Sequence, residues 1–168
     1  MTGITLTLEG YERTKKVLNH AVAQGENTLA LFDAIGAALV TSTQQRMERG
    51  QAPDGSVWPP SIRALAEGGK TLIDKARLFQ SITHEASATG VEVGTNVIYA
   101  AVHQFGATIE AKTERGLRFR IGDQFVTKQS VTIPARPFLG LDEADESMIE
   151  NKVGEWLALD DGGANARH

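Results

Sequence analysis

The chain has 168 residues, of which 41% are hydrophobic and 23% charged, enough apolar material for one real core without disulfide or metal staples. It contains no cysteine, which excludes thiolate chemistry, a cysteine-based zinc site and a disulfide framework, and suits a reducing compartment. A net charge of −4 and a pI near 5.6 set the bulk electrostatics against nucleic acid.

No apolar run approaches the ~20 residues that span a bilayer. The opening residues, MTGITLTLEG, lack the basic start and apolar stretch of a signal peptide. The chain therefore reads as one made and used inside a cell, or assembled there into something larger. Its length favours a single domain over 1–160, with residues 161–168 as a disordered tail.

In chain order, Ile4, Leu6 and Leu8 alternate with threonines and predict a short half-buried strand. Tyr11, Val17, Leu18, Ala21 and Val22 then share a helical face that ends near Gly25. A longer helix follows, with Leu29, Phe32, Ile35, Gly36, Leu39, Val40, Thr43 and Met47 at three- and four-residue steps. Asn27 suits its start; Arg46, Arg49 and Gly50 suit its end.

Residues 50–60, GQAPDGSVWPP, are a loop by their prolines and the Asp54-Gly55 pair, and Trp58 in it is read as a plug sealing a core edge. Residues 72–82, LIDKARLFQSI, predict a short helix or turn capped by Asp74, with Leu78 and Phe79 inward. A β-hairpin is expected over 82–95, turning at Thr89-Gly90 with Val91 and Val93 on the packed face. Residues 97–105 are apolar too densely for alternation and predict a buried helix stopped by Gly106.

Residues 107–131 are the least regular. Strands are predicted at 117–121 and 124–133, forming an extended hairpin arm that can bury little of itself. Lys112, Arg115, Arg118, Arg120 and Lys128 make it basic, and these five are candidate oligomer-interface residues. Pro134 and Pro137 brace a rigid linker, in which Phe138 is a core anchor and Arg136 a donor to exposed carbonyls. Asp142 opens a last helix whose face is Ala144, Met148, Ile149, Val153, Trp156 and Leu157, with acidic first turns that match the helix dipole. The fold class is α+β: an antiparallel β-sheet packed against N-terminal and C-terminal helices, with the hairpin arm projecting.

Catalytic constellations are missing from the sequence. The four histidines, His20, His84, His103 and His168, form no H-E-x-x-H or H-x-x-x-H pair. Gly68-Gly69-Lys70-Thr71 ends like a phosphate loop, but Leu65 stands where its first glycine belongs. There is no G-x-S-x-G elbow. His103, inside the apolar run, reads as a histidine hydrogen-bonded at a core edge or subunit contact. Nothing calls for a cofactor or a metal.

Four segments, in order, resemble the phage virion morphogenesis family, also called the tail completion family. They are DGSVWPPS (54–61), LIDKARLFQSI (72–82), VGTNVIYAAVHQFG (93–106) and IPARPFLGLDEAD (133–145). The second departs from the family's Leu-x-x-Thr-Gly-x-Leu-x-x-Ser-Ile pattern, with Lys75-Ala76 where Thr-Gly is usual. Trp58, Tyr99, His103, Gln104, Phe105, Gly106, Pro134, Arg136, Pro137 and Phe138 are the motif residues, with structural rather than catalytic roles implied.

The resemblance implies a non-enzymatic subunit of the virion, made in the host bacterial cytoplasm and built into the neck or head-proximal tail end. There it would complete the tail and enable head-tail joining, as a ring of identical copies, commonly hexameric. Its partners would be other neck, connector and tail-tube proteins, with no specific nucleic acid and no membrane. A tail terminator or head-closure ring is the alternative within that class. The rival from another class is a DNA-binding regulator using Arg115, Arg118 and Arg120, against which net acidity and the lack of a recognition helix count. The basic arm and the acidic last helix are also oppositely charged, which suits subunit register.

Overall fold

The structure, a computed structural model, describes residues 12–24 and 28–164. The strand expected at Ile4–Leu8, the Asn27 cap and residues 165–168 lie outside the described residues. The elements in order are α1 (Glu12–Gln24), α2 (Thr28–Arg49), α3 (Ile62–Glu67), α4 (Arg77–Gln80), β1 (Thr83–Ser87), β2 (Gly90–Gly94), α5 (Ala100–Phe105), β3 (Ala107–Glu110), β4 (Leu117–Ile121), β5 (Gln124–Lys128), β6 (Ser130–Ile133) and α6 (Glu143–Ala164). The fold is α+β. Its strands pair antiparallel as β1 with β2, β3 with β6 and β4 with β5.

Two compact units share the chain. A helical unit takes the described residues up to Ser42, the segment Thr83–Gly94 and the chain from Leu141. A ribbon unit takes Thr43–Ile82 and Thr95–Gly140. The division falls inside α2.

The helical unit follows from three amphipathic stripes. Ala21 of α1, Leu31, Phe32, Ile35 and Leu39 of α2, and Ile149 and Val153 of α6 form one core, and Val91 and Val93 of the β1–β2 hairpin pack against it. Gly36 is what lets the hairpin approach. A Cβ there would stand 2.4 Å from His84 Cδ2 and 2.7 Å from Val91 Cγ2, closer than atoms tolerate. His84 Nε2 lies 2.9 Å from Asp33 Oδ1. Arg13 meets Glu150 at 2.7 Å and Thr14 donates to Glu146 at 3.1 Å, tying α1 to α6.

The start of α6 is a reciprocal cap: Asp142 Oδ1 accepts from the Asp145 amide at 2.8 Å, and Asp145 Oδ2 from the Asp142 amide at 3.2 Å. This arrangement turns Asp145 inward and leaves Ala144 exposed, so Ala144 does not belong to the core face as its spacing suggested. The helix also runs to Ala164, past the Asp160 at which its tail was expected to begin.

The hairpin turn is one residue earlier than expected. The register closes at Ser87↔Gly90, making Ala88-Thr89 the turn, because Thr28 Oγ1 holds the Ala88 carbonyl at 2.7 Å and Ser87 Oγ bonds the Gly90 carbonyl at 3.1 Å. Asp74 is not a cap: it is exposed, and α4 starts three residues beyond it, after Ala76 in the left-handed region (φ 56°). Leu78 is buried as expected.

In the ribbon unit, β3–β6 and β4–β5 are consecutive stretches of one two-stranded ribbon. Ile121↔Gln124 and Leu117↔Lys128 bound the outer stretch, and Glu110↔Ser130 resumes the pairing. The six residues 111–116 are extra on one side, and the Ala111 amide donating to the Gln129 carbonyl at 2.7 Å closes the gap. The arm is therefore an extended hairpin as predicted, with β3 as an additional strand.

Candidate functional site

The ribbon is rooted in a knot of hydrogen bonds that joins three of the four family-like segments. Gln104, buried on α5, donates to the Leu139 carbonyl at 3.0 Å and accepts from the Phe138 and Leu139 amides at 3.0 and 3.1 Å. One amide side chain thus satisfies three backbone groups that would each cost about 1–3 kcal/mol if buried bare. Phe138, fully buried, fills the core beside it.

Arg136 works on the other side. Its Nε donates to the Pro59 carbonyl at 2.7 Å and its Nη2 to Pro60 at 3.3 Å. Its amide donates to the His103 carbonyl at 2.7 Å. Trp58 is 4% exposed, and its indole N–H donates to the Pro137 carbonyl at 3.0 Å. Arg46 Nη2 holds the Gly140 carbonyl at 2.7 Å; its position at the end of α2 therefore serves a distant backbone as well as the helix dipole. The remaining segment, 72–82, joins through Ser81 Oγ and Thr95 Oγ1 at 2.6 Å.

Gly106 is obligatory for this root. It ends α5 at φ 73°, and a Cβ on it would lie 2.8 Å from the Ala135 amide nitrogen and 3.0 Å from the Ile133 carbonyl oxygen. Both are rigid backbone, so no side chain fits.

His103 differs from its expected role. Its Nδ1 is buried with no hydrogen-bond partner among the described residues. Tyr99 meets its ring edge-on at 5.9 Å. Burial, and then the Arg136 charge, hold the imidazole below its usual pKa, which favours the neutral ring. Asp54 is also held below the usual carboxylate range, by the Ser56 hydroxyl at 2.6 Å and then the Ser56 amide at 2.9 Å. That pair simply closes the exposed loop before Trp58.

Alternation along the ribbon produces two unlike faces. Leu117, Phe119 and Ile121 point to one side, where with Ile109, Val131 and Ile133 they floor a cleft of about 470 Å³ opposite α3. Arg63, Arg118, Arg120 and Arg136 stand among its lining residues, with Glu67 the acidic one. No residue of α3 is buried, so the cleft is open.

The five predicted interface residues, Lys112, Arg115, Arg118, Arg120 and Lys128, are all exposed on the ribbon and its 111–116 insertion. Two of them already work within it. Arg118 stacks 4.5 Å over the Phe125 ring. Arg120 bonds the Gly122 carbonyl and Asp123, both at 2.6 Å, closing the tip.

Sequence reasoning did not pick out the apolar face of the ribbon, though the 117/119/121 alternation carries it. Nor did it foresee that α5 starts only at Ala100 and shows its outer side: Ile98 is 87% and Phe105 60% exposed. Among the described residues, no three His, Asp or Glu converge as a metal site and no helix is long and apolar enough to cross a membrane. Chemically, the polar groups of this root hold backbone, while the ribbon and α5 present surface.

Residues 10–158 match the phage virion morphogenesis family. The chain belongs to that family. It is 33% identical over 129 residues to the Mu-like prophage FluMu G protein 2 of Haemophilus influenzae, covering 77% of this chain and 78% of that one. It is 30% identical over 133 residues to protein G of Escherichia phage Mu, named for capsid assembly, covering 74% and 76%. No solved structure matches. A phage virion morphogenesis protein is a structural component of virion assembly, and in this member the four segments that resemble the family pattern supply the side chains that root the ribbon.

Proposed function

We propose that the protein is a non-catalytic subunit of the neck or head-proximal tail end, which completes the tail and enables it to join the head. It works as a homo-oligomeric ring, with six copies as the expected number, among neck, connector and tail-tube proteins. The observation that carries this reading is the ribbon: a two-stranded arm with an apolar floor of Leu117, Phe119 and Ile121, bordered by arginines, rooted in a rigid knot yet left partly uncovered within its own chain. Two strands alone are marginal in water, and each has an unpaired edge able to extend a neighbour's sheet. Closing such contacts into a ring needs two different surfaces on each copy. The role is mechanical, and the root's hydrogen bonds serve it by fixing the arm's angle.

Imaging particles from a phage that carries this gene, and from the same phage with the gene deleted, tests the proposal. Deletion is expected to leave DNA-filled heads and separate tails, and density for the subunit is expected at the junction between them. Density elsewhere in the particle, or deleted phage whose heads and tails still join, would overturn it. Salt-sensitive binding to duplex DNA at micromolar strength would instead favour the regulator reading.

A further inference from the structure

Two surfaces of the ribbon unit are unfinished, and they differ in shape. One is convex. Ile98, just before α5, and Ala101 and Phe105 on it form an exposed ridge on the side away from buried Ala100 and Gln104. The remaining residues of α5 besides His103 and Gln104 are apolar, yet Ala101 and Phe105 are exposed to solvent. The other is concave: the cleft under the ribbon, about 470 Å³, with its floor of isoleucine, leucine, valine and phenylalanine. It has room for roughly fifteen waters, and those over its floor have apolar side chains beneath them.

We propose that the α5 ridge of one copy seats in the ribbon cleft of a second copy, in a head-to-tail contact that repeats around the assembly. This rests on the oligomer reading above and assigns its surfaces. A ridge and a cleft on the same unit are the two unlike patches a heterologous contact requires. Charge agrees with the assignment. Between Gly94 and Ile109 the chain has no acidic or basic residue except His103, held toward its neutral form, so the ridge brings no cation to a cleft that Arg63, Arg118, Arg120 and Arg136 line. The cleft thus has an apolar floor with Arg118 and Arg136 beside it, Arg63 and Arg120 already facing Asp74 and Asp123, and Glu67 the acidic member, while the ridge is apolar and uncharged.

The absence of native cysteine makes the test direct. The full-length protein carrying both Phe105→Cys and Phe119→Cys is oxidised and run without reductant. A ladder of dimers, trimers and higher species is expected, collapsing when reductant is added. An equal mixture of the two single variants should stop at dimers. Ile98→Lys, at a position 87% exposed in the subunit, brings a cation to the arginine-lined cleft and should weaken self-association in sedimentation by about tenfold or more.

A double variant that oxidises only within one chain, or only to dimers, would overturn the head-to-tail contact. A wild-type protein that self-associates while Ile98→Lys matches it would overturn the surfaces and leave the ring reading standing. A wild-type protein that sediments as a monomer up to its solubility limit would overturn both.

Discussion

The helical unit and the ribbon unit treat their apolar residues in opposite ways. In the first, three helices and a hairpin close over Phe32, Ile35, Ile149 and Val153, and among the described residues Leu29 is its one exposed large apolar side chain. The second leaves eight exposed: Val57, Ile62, Leu65, Ile98, Tyr99, Phe105, Ile109 and Phe125. Yet its root is the more densely hydrogen-bonded, through Gln104, Arg136, Trp58 and Arg46. Rigidity and burial are therefore separate here. The helical unit is stabilised by apolar packing, while the ribbon unit spends polar side chains on fixing a backbone whose outward residues stay available.

Several changes would break or sharpen that contrast. Trp58→Ala should cost the most, about 3–5 kcal/mol, because it empties a buried site and strips the Pro137 carbonyl of its donor. Urea unfolding measures it, and a change below about 0.5 kcal/mol would move Trp58 to the surface. Gly36→Ala tests the helical unit. Helix propensity alone predicts a gain of up to ~1 kcal/mol, whereas the 2.4 Å approach of His84 predicts a loss of about 1–3 kcal/mol. The sign of the change decides how closely the hairpin packs.

Acid should weaken the ribbon unit through His103. Its folded-state pKa is depressed by burial and by Arg136, below an unfolded value of about 6.5. The folded protein thus binds this proton less well than the unfolded chain. The stability held by neutral His103 is complete above that value and is lost as pH falls below it. His103→Leu should flatten the fall in urea midpoint from pH 7 to pH 5, and an unchanged fall would place the sensitivity elsewhere. Replacing residues 112–128 with Asn-Gly should have the smallest effect on stability, under about 1 kcal/mol by calorimetry. The cut ends are already joined by the Ala111–Gln129 bond. The shortened chain should nonetheless lose self-association; loss of cooperative unfolding instead would put the arm in the core.

Much of this was legible in the sequence. The period of α1, α2 and α6 fixed the helical unit, and Trp58, Phe138 and Arg136 took the plug, anchor and donor roles their chemistry implied. What escaped depends on partners far along the chain. Ala107–Glu110 reads as a strand only once β6 is beside it. Ala144 and Asp145 exchange places because a cap outweighs a hydrophobic stripe. His103, expected to be hydrogen-bonded at a core edge or subunit contact, leaves its Nδ1 without a partner among the described residues. The outer face of α5 could not be read as exposed, because composition reports how apolar a helix is and not whether its cover lies in the same chain.

The root has a further consequence for how the subunit is made. Its bonds link Arg46 to Gly140, Trp58 to Pro137 and Pro59 to Arg136, separations of 94, 79 and 77 residues, and Thr14 reaches Glu146 across 132. Such distant closures pay loop entropy before any contact rewards it, and they fold slowly. Neither unit can close until the residues around 136–153 have left the ribosome. The β4–β5 pair, by contrast, closes across two residues between Ile121 and Gln124, so the outer ribbon can form before the root that holds it. Until the root closes, the apolar side of that ribbon has no cover, which is when aggregation through it is easiest.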